Sequence, residues 1–156
     1  MTRWHLINLP VYGPGDRRPF AAVSGAWFDW EALRLRTLVL GRGVRGWRTV
    51  RAEKVLIRDD AVVVTDRRAV ERVSRRVFRQ RQEEDWEGRL VQDVDRRPVG
   101  RIRDIEFDPV SGRVLTVWVS RGILADIWQG MVAVDARALA SSAEGITVVP
   151  VGHAPS

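Results

Sequence analysis

The chain has 156 residues, no Cys, 45% apolar residues with seven Trp, and a formal net charge of +6. That composition excludes disulfide staples, thiolate metal sites and a Cys nucleophile, and it is too apolar and aromatic for a disordered tail. The charge is uneven: residues 1–79 hold 17 basic and 8 acidic side chains and residues 80–156 hold 9 and 12, which points to electrostatic self-association or to an acidic partner for the first half.

In chain order, Trp4, Leu6, Ile7 and Leu9 precede Pro10 and read as a short first strand. Residues 1–11 lack the long apolar core of a signal peptide, and no later run approaches the ~20 apolar residues that span a bilayer, so a cytoplasmic protein without a transmembrane segment is expected. Gly13-Pro14-Gly15-Asp16 is a turn. Phe20, Ala22, Val23 and residues 26–28 form a second extended piece. Trp30-Glu31-Ala32 then makes an irregular hairpin turn into a strand carrying Leu33, Leu35, Thr37, Leu38 and Leu40. Gly41, Gly43 and Gly46 mark a loop with Arg42, Arg45, Trp47 and Arg48. Residues 50–55 and 61–64 read as two short strands across an Asp59-Asp60 turn.

At Asp66, a candidate N-cap, the period changes. Val70, Val73 and Val77 stand at i, i+3 and i+7 with Phe78 beside them, which predicts one amphipathic helix of about 15 residues. Glu71 would pair with Arg75 at i+4, and Arg68, Arg72, Arg75, Arg76 and Arg79 would cover the polar surface. This segment, residues 67–87, is expected to bridge two β units, residues 1–66 and residues 88–150.

The second unit is the sharper one. Leu90 and Val91 lead into a polar bend at residues 93–97, an extended segment through Phe107, and an Asp108-Pro109-Val110-Ser111-Gly112 turn. Residues 114–119 form an almost unbroken β-branched and aromatic run, the mark of a strand covered on both faces. Residues 122–130 replace the earlier glycine-rich loop, with Trp128 near the place of Trp47, and residues 131–134, 135–139 and 146–149 read as strand, turn and closing strand. This order is a copy of the first half. Phe28-Asp29 precedes Phe107-Asp108 by 79 positions, and Leu35, Thr37, Leu38 and Leu40 fall on Val114, Thr116, Val117 and Val119. Farther on the offset is 84, placing Val55 on Leu139 and residues 62–64 on 146–148; near the start Leu9 falls on Leu90. The chain is therefore read as two repeats of one all-β unit.

Leu90-Val91, Asp95-Arg96-Arg97, Pro98-Val99-Gly100-Arg101-Ile102, Asp104-Ile105, Phe107-Asp108-Pro109, Gly112-Arg113-Val114 and Arg121-Gly122 together resemble the PRC-barrel family. The resemblance covers residues 88–150 well and 6–65 faintly. The first copy departs from it: Phe20-Ala21 stands where Val-Gly belongs, and the Asp-Pro-x-x-Gly turn is missing. The resemblance implies two small six-stranded barrels in tandem, an all-β fold. They would be similar to the cytoplasmic domain of the photosynthetic reaction-centre H subunit and the C-terminal domain of the ribosome maturation factor RimM, both of which act by protein–protein contact.

No pattern for catalysis emerges, and a non-enzymatic protein without cofactor or metal is expected. The two histidines, His5 and His153, lie near the ends of the chain. Asp104, Glu106 and Asp108 alternate along one strand, but Arg101, Arg103 and Arg113 stand close enough to neutralise them. Residues 41–46 lack the Lys and the strand-to-helix context of a phosphate loop. Two binding roles remain. As a scaffold, the chain would meet a protein partner or a second copy of itself through Trp27, Trp30, Trp47 and Trp128, since Trp is enriched at interface hot spots. As a nucleic-acid binder, it would use Arg42, Arg45 and Arg48 with Arg68, Arg72, Arg75, Arg76 and Arg79. A small ligand in a crevice between the units is a third reading.

Overall fold

A computed structural model describes residues 1–43, 46–121, 130–142 and 145–149. The first sheet contains β1 (Pro10–Tyr12), β2 (Ala21–Asp29), β3 (Arg34–Gly43), β4 (Gly46–Arg51), β5 (Val55–Ile57), β6 (Val62–Val64) and β7 (Glu71–Val73). Its hydrogen-bonded order is β5-β6-β1-β2-β3-β4-β7. The second contains β8 (Leu90–Gln92), β9 (Pro98–Phe107), β10 (Val114–Ser120), β11 (Met131–Asp135), β12 (Leu139–Ser142) and β13 (Gly145–Val148), in the order β11-β10-β9-β8-β13-β12. Read from its other end, the second order is that of the first without β7. Among the described residues one helix of more than one turn, α2 (Arg75–Glu83), links the two sheets, and a short α1 (Arg3–Leu6) lies near the start. The second sheet curls into a half-barrel, and among the described residues neither sheet pairs its two end strands with each other.

The repeat holds at the level of single residues. At the 79-residue offset Val23, Ala26, Phe28, Leu35, Leu38 and Leu40 correspond to Ile102, Ile105, Phe107, Val114, Val117 and Val119, and all twelve are buried. The step from Val23 to Ala26 breaks strict alternation because a bulge lies between Val23 and Gly25, shifting the inward face by one residue. The same step recurs from Ile102 to Ile105. At the 84-residue offset the 3-10 turn Ala52–Lys54 matches Ala136–Ala138 and Val62 matches Ile146, whose parallel partners Val11 and Val91 lie 80 residues apart. The change of offset falls in the β10–β11 connection, longer than that between β3 and β4.

Several local expectations are corrected. Trp4 and Leu6 belong to α1, where Thr2 caps the His5 N–H, and the first strand starts at Pro10. Accordingly Pro10, not Leu9, matches Leu90: Pro10 pairs with Ala22 as Leu90 pairs with Arg101. Residues 50–55 are not one strand but the end of β4, a 3-10 turn and the start of β5. The long helix from residue 67 is also absent. Asp66 does cap, but it caps a 3-10 turn, Arg67–Ala69; residues 71–73 then extend as β7 along β4, with Trp47↔Val73 and Thr49↔Glu71 in register. The helix begins only after Ser74, whose hydroxyl accepts from the Val77 N–H. Glu71 and Arg75 therefore sit on different elements and form no helical i, i+4 pair.

The chain divides into two compact units, Met1–Asp85 with Phe107–Arg113, and Trp86–Glu106 with Val114–Ser156. In the first unit the Leu35 N–H donates to the Gly112 carbonyl (2.7 Å), and the Phe107 ring meets Phe28 edge-on at 5.8 Å. The β2–β3 turn is a hidden copy of the Asp108–Gly112 turn. Asp29 accepts the Ala32 N–H as Asp108 accepts the Ser111 N–H, and Leu33 (φ 49°) takes the left-handed place of Gly112 (φ 75°). The second unit has its own core, in which Trp86 at 2% exposure, Val91, Ile102, Val117 and Ile146 are all buried.

Candidate interaction site

The tryptophans proposed as partner anchors have been placed differently. Ala26, Leu38 and Val50 are register partners and face the core, so their neighbours Trp27, Thr37 and Arg51 face outward. On that outer face Val39 and Thr49 are nonetheless buried. What covers them is α2, which contacts β4. Phe78 stacks on Trp47 with ring centroids 3.9 Å apart and planes 2° from parallel, and it lies 5.8 Å from Trp27. Trp27 and Trp47 are thus strand residues that fasten α2 to the sheet. Trp30 follows β2, 5.5 Å from the Phe28 ring. Trp128 lies outside the described residues.

Beside this aromatic cluster is a cavity of about 230 Å³, lined by Trp27, Trp30, Arg36, Glu71, Arg81 and Asp85 among others. Part of its charge is satisfied locally: Arg81 bridges Glu84 (3.2 Å) and Asp85 bridges Arg3 (3.0 Å). The lining mixes both signs and so favours no single charged ligand.

The arginines fall into groups. Arg48 and Arg72 are direct cross-strand partners on β4 and β7. Arg48 also approaches the Phe20 ring (5.9 Å), as does Arg67 (4.5 Å), which bridges Asp16 at 3.6 Å. Like charges directly opposite on a sheet repel. Arg75, Arg76 and Arg79 are exposed on α2, whose Phe78 is turned to the sheet, and Arg68 is exposed after its backbone N–H is taken by Asp66. Arg42 lies in β3, its backbone paired with Trp47; Arg45 lies outside the described residues.

An anchor that the sequence reading passed over is Trp4, 81% exposed. Its helical turn is braced at both ends: the Thr2 hydroxyl accepts the His5 N–H at 3.1 Å, Leu6 is fully buried, and Arg3 holds Asp85. The Nε2 of His5 is 2.9 Å from the Asp59 carbonyl. The signal was the Thr2 cap three residues before His5, masked by an apolar spacing that also fits a strand.

Among the described residues no group of three or more His, Cys, Asp or Glu is placed to hold a metal ion. Asp104 in β9 and Asp108 just after it are engaged with backbone instead. Asp104 accepts the Ile105 N–H at 2.8 Å, and Asp108 accepts from Val110 (2.8 Å) and Ser111 (3.4 Å), bonds that hold its carboxyl below the ordinary aspartate range. His153 lies outside the described residues. Comparison with known proteins adds no name to this geometry: no family model matches the chain, and no curated protein matches it significantly.

Proposed function

We propose that the chain is a non-catalytic scaffold that binds a protein partner, built from two PRC-like β units in tandem. The observation that carries this reading is Trp4. An exposed indole on a backbone already fixed by a cap, a buried Leu6 and an ion pair loses little entropy on binding, which is the make-up of an interface hot spot. The matching strand orders of the two sheets support a PRC-like design, in which the domain acts by contact. No helix among the described residues is long and apolar enough to cross a membrane.

The test is a photo-crosslinking residue introduced at position 4 of the full chain. One reproducible protein adduct is expected, with its affinity lost in Trp4→Ala while the unfolding midpoint stays put. A partner that binds Trp4→Ala as tightly as the parent would overturn the reading.

A second reading, RNA or DNA binding, is favoured by one observation. Arg48 faces Arg72, and Arg68, Arg72, Arg75, Arg76 and Arg79 are exposed without an ion-pair partner among the described residues, so phosphate would relieve their repulsion. It requires a salt-dependent anisotropy change with duplex DNA or structured RNA at ~50 mM salt; no change there removes it.

A further inference from the structure

We infer that β11 is a self-pairing edge, through which two copies of this chain join their second sheets into one continuous antiparallel sheet. The two repeats differ most at this strand. In the first, the strand equivalent to β11 is β4, and its outer side is occupied: β7 pairs with Trp47, Arg48 and Thr49, while α2 lies over the face that carries Thr49, only 6% exposed. The 84-residue offset places Met131, Val132 and Ala133 at those three positions. In the second sheet β11 is an end strand, with no described strand on its far side.

The register identifies the backbone groups on that far side. β11 pairs with β10 without a bulge, Ser120↔Met131 through Thr116↔Asp135, and the next pair out is hydrogen-bonded, the Arg121 N–H donating to the Gly130 carbonyl at 3.0 Å. Hydrogen-bonded and non-bonded pairs alternate along an antiparallel ladder. Val132 and Val134 therefore bond inward to β10, and Met131 and Ala133 turn their N–H and C=O outward. Of the devices that normally blunt an edge, a Lys, a Pro, a bulge and a very short strand are absent from Met131-Val132-Ala133-Val134-Asp135, whose one charge, Asp135, stands at its end.

The occupant argued here is a second copy, because the strand is self-complementary. Antiparallel pairing about a two-fold axis at Ala133 sets Ala133 against Ala133, Val132 against the second copy's Val134, and Met131 against the second copy's Asp135, with no like charges opposed. Ala133 is small and exposed, Met131 is 50% exposed, and Trp118 is the cross-strand neighbour of Ala133, so an apolar strip crosses the joint. A five-residue edge is well below the ~1,600 Å² of a standard interface, which sets the expected dissociation constant in the micromolar range. This surface is independent of Trp4 and of any likeness to PRC barrels.

The experiment is sedimentation of the full chain from about 1 to 100 µM. A concentration-dependent dimer is expected, unchanged in Trp4→Ala. Ala133→Lys and Ala133→Glu set like charges face to face across the axis, so each alone is monomeric with its cooperative melt retained, and an equimolar mixture recovers the dimer. As a readout without substitution, the Met131 and Ala133 amides exchange more slowly as concentration rises. A parent chain that stays monomeric over the range, or a dimer that Ala133→Lys leaves at parental affinity, overturns the inference; amides that exchange equally fast at all concentrations do the same.

Discussion

Replacing Gly100 by Ala tests the physical basis of the repeat at its tightest crossing. Gly100 has φ 156°, and a Cβ there would run into the Ser120 carbonyl oxygen, with the Ser120 carbonyl carbon and Val119 Cγ1 each at 2.8 Å. The first copy carries Ala21 at the matching position, and the glycine stands instead on the opposing strand. Gly41 occupies the place of Ser120, and a Cβ on it would stand 3.7 Å from the Ala22 carbonyl oxygen. That distance is ordinary van der Waals contact, so the first crossing is the looser of the two. In Gly100→Ala the sparsely populated backbone conformation costs about 1–2 kcal/mol. Moving β10 away from the new methyl costs about 1–3 kcal/mol more. The sum, ~2–5 kcal/mol, is a large share of the ~5–15 kcal/mol that holds an ordinary domain folded. Urea unfolding followed by tryptophan fluorescence measures the loss, and hydrogen exchange places it, with protection falling in β9 and β10 and retained in β2 and β3. Ala21→Gly costs only about 0.5–1 kcal/mol of strand entropy. A Gly100→Ala midpoint equal to the parent's within ~0.5 kcal/mol would show that the close approach does not constrain the fold, and the reasoning would fall.

Phe78→Ala removes the ring stacked on Trp47 and frees α2. A loss of about 3 kcal/mol is expected, together with loss of the near-ultraviolet dichroism of the Trp47–Phe78 pair; an unchanged near-ultraviolet spectrum would contradict the placement of α2. Asp108→Asn tests the turn. Because the folded carboxyl titrates below its unfolded value, its contribution is complete above about pH 3.9 and disappears as pH falls through the lower folded value. The parent should therefore be the more stable at neutral pH, with its advantage over Asp108→Asn shrinking in thermal melts as the pH is lowered beyond that point. An advantage constant with pH would mean the two N–H bonds to Asp108 are not made.

What could be read from the residues alone was the architecture of repetition. Core positions recur at 79 and 84 residues because both copies bury the same faces of the same strands, and the 3-10 turns and closing strands recur with them. The Asp-Pro-x-x-Gly turn was legible for a local reason: Asp108 bonds groups two and three residues away, and Gly112 supplies a left-handed φ. Its first copy was not legible, since Leu33 adopts that conformation only under the constraint of the flanking strands.

The surroundings of the surface residues were hidden for a related reason. Val70, Val73 and Val77 have helical spacing, yet Val73 is committed to Trp47, 26 positions earlier in the chain. A strand pairing of that range leaves no periodicity to detect. Trp27 and Trp47 read as loop residues, whereas they lie in strands with Phe78 against them, and Trp4 reads as part of a first strand, whereas it stands exposed on a helical turn. Local chemistry determined which segments extend, turn and repeat. Which faces are left for a partner, including the edge of β11 that ends the described sheet, was decided by contacts between segments far apart in sequence, whose energy depends on register and packing rather than on any residue's own preference.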